Sequence, residues 1–212
     1  MRHGSDGTAL ARTGIRWWGL LSSAAAPVLL IVGWTVAAAL QPGHFDPVTK
    51  TISALAARGA ADRWVMTAAL AGVGVCYLGT GAALQLARLP GRLLLMAGGA
   101  ATIAVAANPL PAGGGGSLPH GLAAAAGSVA MATWPGCAGR RGTSVPVGLR
   151  PAVSVAAALA LLGLLGWFAV ELWSGGSAVG LAERTVAGAE ATWPLAVVLT
   201  GCWPAFQCDY AK

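Results

Sequence analysis

Long apolar stretches alternate with short polar stretches along the whole chain. An α-helix rises 1.5 Å per residue and the hydrocarbon layer of a bilayer is about 30 Å thick, so about 20 apolar residues cross it. Six stretches reach that length and predict transmembrane helices, namely Trp17–Leu40, Trp64–Leu86, Leu93–Leu110, Leu118–Ala138, Val153–Trp173 and Gly180–Trp203. The pattern therefore predicts an all-α, polytopic membrane helix bundle.

The predicted six-helix domain occupies residues 17–203, between cytoplasmic tails at residues 1–16 and 204–212. A cleaved signal peptide is the alternative for the first stretch. Its apolar run is longer than the 7 to 15 residues of a signal-peptide hydrophobic region, which favours a retained helix.

Composition agrees with a membrane protein. Only 9% of the 212 residues are charged and 56% are hydrophobic, whereas about 25% of the residues of a soluble domain are charged. The net charge of +6 comes from short basic clusters between apolar stretches, which is typical of membrane orientation signals and not of a nucleic-acid interface. We expect membrane lipids as partners and no nucleic acid.

The basic residues predict the orientation, because Lys and Arg near helix ends resist translocation. Nine of the thirteen fall in segments that would be cytoplasmic if both termini are inside: Arg2, Arg12, Arg16, Arg88, Arg92, Arg140, Arg141, Arg150 and Lys212. The sequence therefore predicts a plasma-membrane protein with both termini in the cytoplasm (N-in, C-in). None of the four cysteines, Cys76, Cys137, Cys202 and Cys208, then lies in an outer loop, which argues against disulfides.

The longest connection, residues 41–63, predicts structure of its own on the outer side. Val48, Ile52 and Leu55 recur at helical spacing, Gly59 is a plausible stop, and Asp62 is a plausible cap for the helix that begins at Trp64. The pattern predicts a short helix on the membrane surface.

This loop also carries a family resemblance. Asp46-Pro47, followed by Thr51-Ile52-Ser53-Ala54-Leu55 after a first span, resembles a bacterial membrane family called domain of unknown function 998. The resemblance extends to Trp17-Trp18-Gly19 and to His120 at the start of the fourth span. It implies a polytopic helical protein and no activity. The chain departs from the family at Asn108-Pro109 and in residues 201–212.

Ionisable residues within spans usually line a cavity or find a partner, because burying a charge at a helix centre costs about 2.5–3.5 kcal/mol. Here the polar and ionisable residues of the spans and the outer loop gather toward the outer side: His44, Asp46, Asn108, His120, Glu171, Glu183, Arg184 and Glu190. Glu183 and Glu190 share a helix face, since they are seven residues apart. For Glu171 and Glu183, interfacial capping or snorkelling is the favoured interpretation.

An outward-facing polar pocket is the resulting prediction. Its candidate binding residues are His44, Asp46, Thr51, Ser53, Asn108, His120, Arg184 and Glu190. Ser53, His120 and Glu190 are catalytic candidates, although no GxSxG surrounds the serine and local hydrogen bonding is favoured for it. His44, Asp46 and His120 are metal candidates, without any HExxH or CxxC pattern to support them. No cofactor is predicted.

Three functions compete. The first is a non-enzymatic protein whose outer pocket binds a lipid, a small molecule or a partner protein. The second is a membrane-embedded hydrolase, metal-dependent or acid/base, with Glu190 as the acid or base. The third is a proton-coupled transporter that uses Glu190.

Overall fold

A computed structural model describes residues 16–113, 115–142 and 145–209, with side chains to Cys202. Within them the chain forms seven α-helices and a 3₁₀-helix, with no β-strand. The α-helices are α1 (Trp17–Ala39), α2 (Ile52–Leu55), α3 (Trp64–Ala83), α4 (Leu89–Ala107), α5 (Leu118–Ala138), α6 (Pro151–Ser174) and α7 (Val179–Asp209), and the 3₁₀-helix is Val147–Leu149. The prediction of an all-α protein is confirmed.

The helix bounds differ from the predicted stretches mainly where charged or proline residues meet a helix end. Helix α4 begins at Leu89, before the predicted Leu93, because Pro90 is well tolerated in a first turn. Helix α7 continues past Trp203 to Asp209 into the predicted tail. Residues 1–15 and 210–212 of the two predicted tails lie outside the described residues.

The six long helices form a closed ring. Helix α1 packs against α3, α3 against α4, α4 against α5, α5 against α6, α6 against α7, and α7 returns to α1. The short helix α2 packs on α1 and α7. We call the end of the ring that carries α2 the α2 end, and the other the arginine end, since Arg88, Arg92, Arg140 and Arg150 adjoin the helix termini there.

Arginines at the arginine end satisfy carbonyl groups that a terminating helix leaves without partners. Arg92 donates from Nε to the carbonyl of Gly81 (2.9 Å) and from Nη2 to that of Ala82 (3.0 Å), both in the last turn of α3. Positive charge is also favoured beside a helix C-terminus. Arg92 therefore stabilises the end of α3.

Four of the helices are long and apolar enough to cross a membrane: α1, α3, α4 and α6. Helix α7 is less apolar because it carries Glu183, Arg184 and Glu190. Trp17, Trp64 and Trp173 lie near helix ends and are exposed, as in an interfacial aromatic belt, whereas Trp134 is fully buried.

The segment between α1 and α3 corrects two predictions. Its helix begins at Ile52, not Val48, because the Asp46 side chain holds a separate turn and Thr51 caps the helix with a hydrogen bond from the Ala54 N–H (3.2 Å). Ile52 and Leu55 are buried in the core. Asp62 does not cap α3; it has a left-handed backbone with φ of 46°, and Arg63 takes the cap position without a side-chain hydrogen bond.

Candidate functional site

A cavity of about 650 Å³ lies inside the ring of helices, a size within the ordinary range of ligand sites. Every long helix contributes to its wall, with Leu30 from α1, Tyr77 from α3, Thr102 from α4, Met131 from α5, Phe168 from α6 and Val186 from α7. Its boundary also includes Ile52 and Ser53 of α2 and Ser117. The cavity therefore lies toward the α2 end and is mostly apolar.

Three polar side chains from distant parts of the chain meet at that end. The Ser53 hydroxyl lies 3.1 Å from Oε1 of Glu183 and 3.2 Å from Nε2 of His120. The other carboxylate oxygen of Glu183 accepts a hydrogen bond from the Ile52 N–H. We call Ser53, His120 and Glu183 the polar cluster. All three line the cavity.

The other ring nitrogen of His120 fixes the tautomer of the ring. Nδ1 lies 2.9 Å from the backbone carbonyl of Asn108, and a carbonyl only accepts hydrogen bonds, so Nδ1 carries a proton. Nε2 therefore accepts a hydrogen bond from Ser53 when the ring is neutral and donates one when the ring is charged.

Ser53 has a single hydroxyl proton for two neighbours. If His120 is charged, it donates to Ser53, which in turn donates to an ionised Glu183. If His120 is neutral, it accepts from Ser53 while a protonated Glu183 donates to the serine oxygen. Both arrangements satisfy every group, and both leave the cluster with no net charge.

The carboxylate of Glu183 also binds the start of α2. The first N–H groups of a helix lack partners within it, and Glu183 accepts one of them, from Ile52. Glu183 thus caps a helix on another part of the chain. Capping or snorkelling was the favoured interpretation of this residue, whereas its hydrogen bond with Ser53, which links it to His120, was not predicted.

Asp46 has a local role. Its carboxylate accepts hydrogen bonds from the Thr49 hydroxyl (2.7 Å) and the Val48 N–H (2.9 Å). The hydrogen bond from Thr49, followed by that from Val48, lowers the pKa of this exposed carboxyl below its usual value of 3.8. Thr51, which caps α2, also lines the cavity.

Arg184 attaches the same segment to α7. One of its terminal nitrogens donates to the carbonyls of Lys50 (2.7 Å), Pro47 (2.8 Å) and Gly180 (3.0 Å). Its guanidinium lies 5.8 Å from the ring centre of Phe45. These contacts explain Arg184 as an anchor for residues 45–50. It does not line the cavity.

Glu190 is the deepest carboxylate of the cavity wall. It is 7% exposed, and its Oε1 is buried with no hydrogen-bond partner among the described residues. Glu183 and Glu190 both line the cavity, and seven helical residues separate them by about 10 Å along the axis. The two carboxylates therefore lie at different depths of one space.

The structure brings some predicted residues together and leaves others apart. Ser53, Thr51, His120 and Glu190 share the cavity wall. Asn108 contributes its backbone carbonyl, while its side chain bonds to its own helix at Ala104. His44 is exposed and Asp46 is engaged in its turn. Among the described side chains, no group of three His, Cys, Asp or Glu could hold a metal ion, so His44, Asp46 and His120 do not form one.

The cavity also contains residues that the sequence did not single out. Tyr77 is buried in α3 and lines the cavity beside apolar neighbours. A tyrosine in an otherwise apolar span is a weak signal of such a position, because its hydroxyl needs a polar neighbour when buried. Phe168 and Trp173 on α6 complete an aromatic part of the wall.

Comparison with known proteins adds one finding. A family model described as protein of unknown function (DUF998) matches residues 24–200, which include every described residue that lines the cavity. Neither the curated proteins nor the solved structures gave a match.

Proposed function

Because the chain belongs to the DUF998 family, whose description assigns no activity, we propose a function from the geometry: this is a multi-pass membrane protein whose cavity binds a small amphiphilic molecule from the outer side. The single observation that carries the proposal is the 650 Å³ cavity with the polar cluster at one end and apolar side chains from all six long helices around it. An amphiphile combines the two kinds of surface that this site offers.

In this proposal all six long helices cross the membrane. Helices α5 and α7 complete the ring with the four more apolar helices, so an arrangement that leaves them outside the bilayer would separate packed neighbours. Glu183, Arg184 and Glu190 of α7 face the interior or the α2 end, as polar groups in membrane bundles usually do. The basic arginine end is cytoplasmic by the positive-inside rule, and the membrane is the plasma membrane.

Cysteine labelling tests this orientation. Cys137 is exposed near the arginine end, and Lys50 is exposed at the α2 end. In a background that keeps one cysteine at a time, an impermeant maleimide should label Lys50→Cys in intact cells, and should label Cys137 only after the membrane is permeabilised. The reverse pattern would contradict the proposed orientation.

Cavity filling tests the binding function. Ala169 lines the cavity, whereas Ala160 is exposed on the opposite face of the same helix. The two faces are opposite because nine residues correspond to two and a half helical turns. Octanol should bind to the purified protein in phosphatidylcholine nanodiscs, above a blank of empty nanodiscs. Ala169→Trp should abolish this binding and Ala160→Trp should not. Equal octanol binding by the two variants would overturn the proposal.

One distance favours a second candidate function, acyl hydrolysis. Ser53 and His120 are 3.2 Å apart, and the Asn108 carbonyl orients the imidazole, as in a nucleophile with its base and an orienting group. The candidate ranks second for two reasons. The Ile52 N–H is already bonded to Glu183 and so is not free to stabilise an oxyanion. In addition, a carboxylate beside Ser53 repels the oxyanion of an acyl intermediate.

A fluorophosphonate probe distinguishes the two functions. A hydrolase should be labelled at Ser53, and Ser53→Ala and His120→Ala should both prevent labelling. Under the binding proposal, the wild-type protein stays unlabelled while it still binds octanol.

A further inference from the structure

Glu190 has no explanation in the packing of the bundle. Its side chain is 7% exposed and Oε1 has no hydrogen-bond partner among the described residues. Three other carboxylates of the α2 end are engaged, with Asp46 accepting from the Thr49 hydroxyl, Glu171 accepting from the Ala178 N–H (3.0 Å) and Glu183 joined to Ser53. Asp62 is exposed to its surroundings. A buried carboxylate without a partner is unfavourable unless a cation or a proton joins it.

The cavity provides the space and the charge for such a cation. Glu190 lines it together with Glu183, and no Lys or Arg stands among the described lining residues. Since the polar cluster can be neutral as a whole, Glu190 is the group that sets the sign of the charge inside. Aromatic side chains line the same space, including Tyr77 and Phe168, and aromatic faces favour cations.

We propose that the amphiphile bound in this cavity is an amine, whose ammonium group pairs with Glu190 and whose hydrocarbon part lies against the apolar wall. This inference rests on the proposed binding function and names its ligand class. The ammonium would supply the hydrogen-bond donor that Oε1 lacks, and the carboxylate would balance its charge where water is scarce.

The test compares two ligands of one length, octylammonium and octanol, by calorimetry in phosphatidylcholine nanodiscs, whose lipids carry no net charge. Wild-type protein should bind octylammonium at least about tenfold more tightly, a difference of about 1.4 kcal/mol. Glu190→Gln should remove the preference, and a circular dichroism spectrum and thermal unfolding that match the wild-type protein show that the variant is folded. Glu171→Gln, a carboxylate outside the cavity, should keep the preference.

The outcomes separate the two proposals. Equal affinity of the wild-type protein for octylammonium and octanol would overturn the assignment to Glu190 while preserving the cavity as a binding site. A preference that persists in Glu190→Gln would also overturn it. Failure of the wild-type protein to bind either ligand would overturn the proposed function, and the amine inference with it.

Discussion

The two sides of the ring are built differently. Where α3, α4 and α5 meet, glycines let the helices approach closely. A Cβ added at Gly74 would lie 2.6 Å from the carbonyl oxygen of Gly99, and one at Gly98 would lie 2.6 Å from Sδ of Met131. On α6, by contrast, Gly163 and Gly166 have no atom within 4 Å of the position a Cβ would take.

Gly163 and Gly166 are exposed and do not line the cavity, so the difference separates glycines between packed helices from glycines on the bundle surface. In a bilayer, apolar side chains gain little by leaving lipid, so close packing of small residues stabilises helix pairs. The glycines between α3 and α4 serve this purpose. The α5–α6–α7 side keeps the cavity instead, and the contacts at its α2 end are a few hydrogen bonds through Ser53 and Glu183.

The largest effect should come from breaking the close approach of α3 and α4. Gly74→Val places a branched side chain against the backbone of Gly99, and we expect a cost of about 3 kcal/mol or more in the free energy of unfolding. Unfolding by a denaturing detergent, followed by circular dichroism, measures it. The matched control, Gly163→Val, should unfold close to the wild-type protein. Equal losses in both variants would mean that the two sides do not differ as described.

A smaller effect should come from removing the cap of α2. Glu183→Ala leaves the Ile52 N–H without its acceptor, and a buried donor left unpaired costs about 1–3 kcal/mol. Hydrogen exchange at the Ile52 amide should become faster, while exchange in α4 stays unchanged. Glu183→Gln retains an acceptor oxygen and should lose much less. Unaltered exchange at Ile52 in the alanine variant would show that Glu183 is not its partner.

The smallest effect should concern the Asp46 turn. The pKa of Asp46 in the folded protein is lowered from 3.8. The stability that its ionised carboxylate gives to the turn is therefore present above pH 3.8 and is lost as the pH falls through the lower folded pKa. The protection factor of the Val48 amide should therefore be constant from neutral to mildly acidic pH and fall only at pH values below 3.8. In Asp46→Asn it should be low throughout. A fall near neutral pH would assign the transition to another group.

Much of the architecture could be predicted from hydrophobic length alone. Each of the six apolar stretches corresponds to a long helix, because continuous apolar length is a property of the chain itself. The predicted start of α2 at Val48 was wrong because the Asp46 turn interrupts the helical spacing there. The same spacing could not show that Asp62 turns left-handed and leaves α3 without a side-chain cap.

The site was harder to predict, since it depends on which helices become neighbours. Ser53 and Glu183 are 130 residues apart in the chain, and neither belongs to a motif of fixed spacing. The depth of Glu190 could be predicted from its position in the last span, because an ionisable residue there needs a cavity or a partner. The sequence made His44, Asp46 and His120 metal candidates alike, yet of these three only His120 lies in the cavity wall.

An experimental structure in a lipid nanodisc with octanol added would show whether a ligand occupies the cavity beside the polar cluster. We expect one elongated density between α5, α6 and α7 that reaches the Ser53 hydroxyl, with His120 and Glu183 on either side of that hydroxyl. Helix α6 packed directly against the inner face of α5, with no space and no density between them, would contradict it.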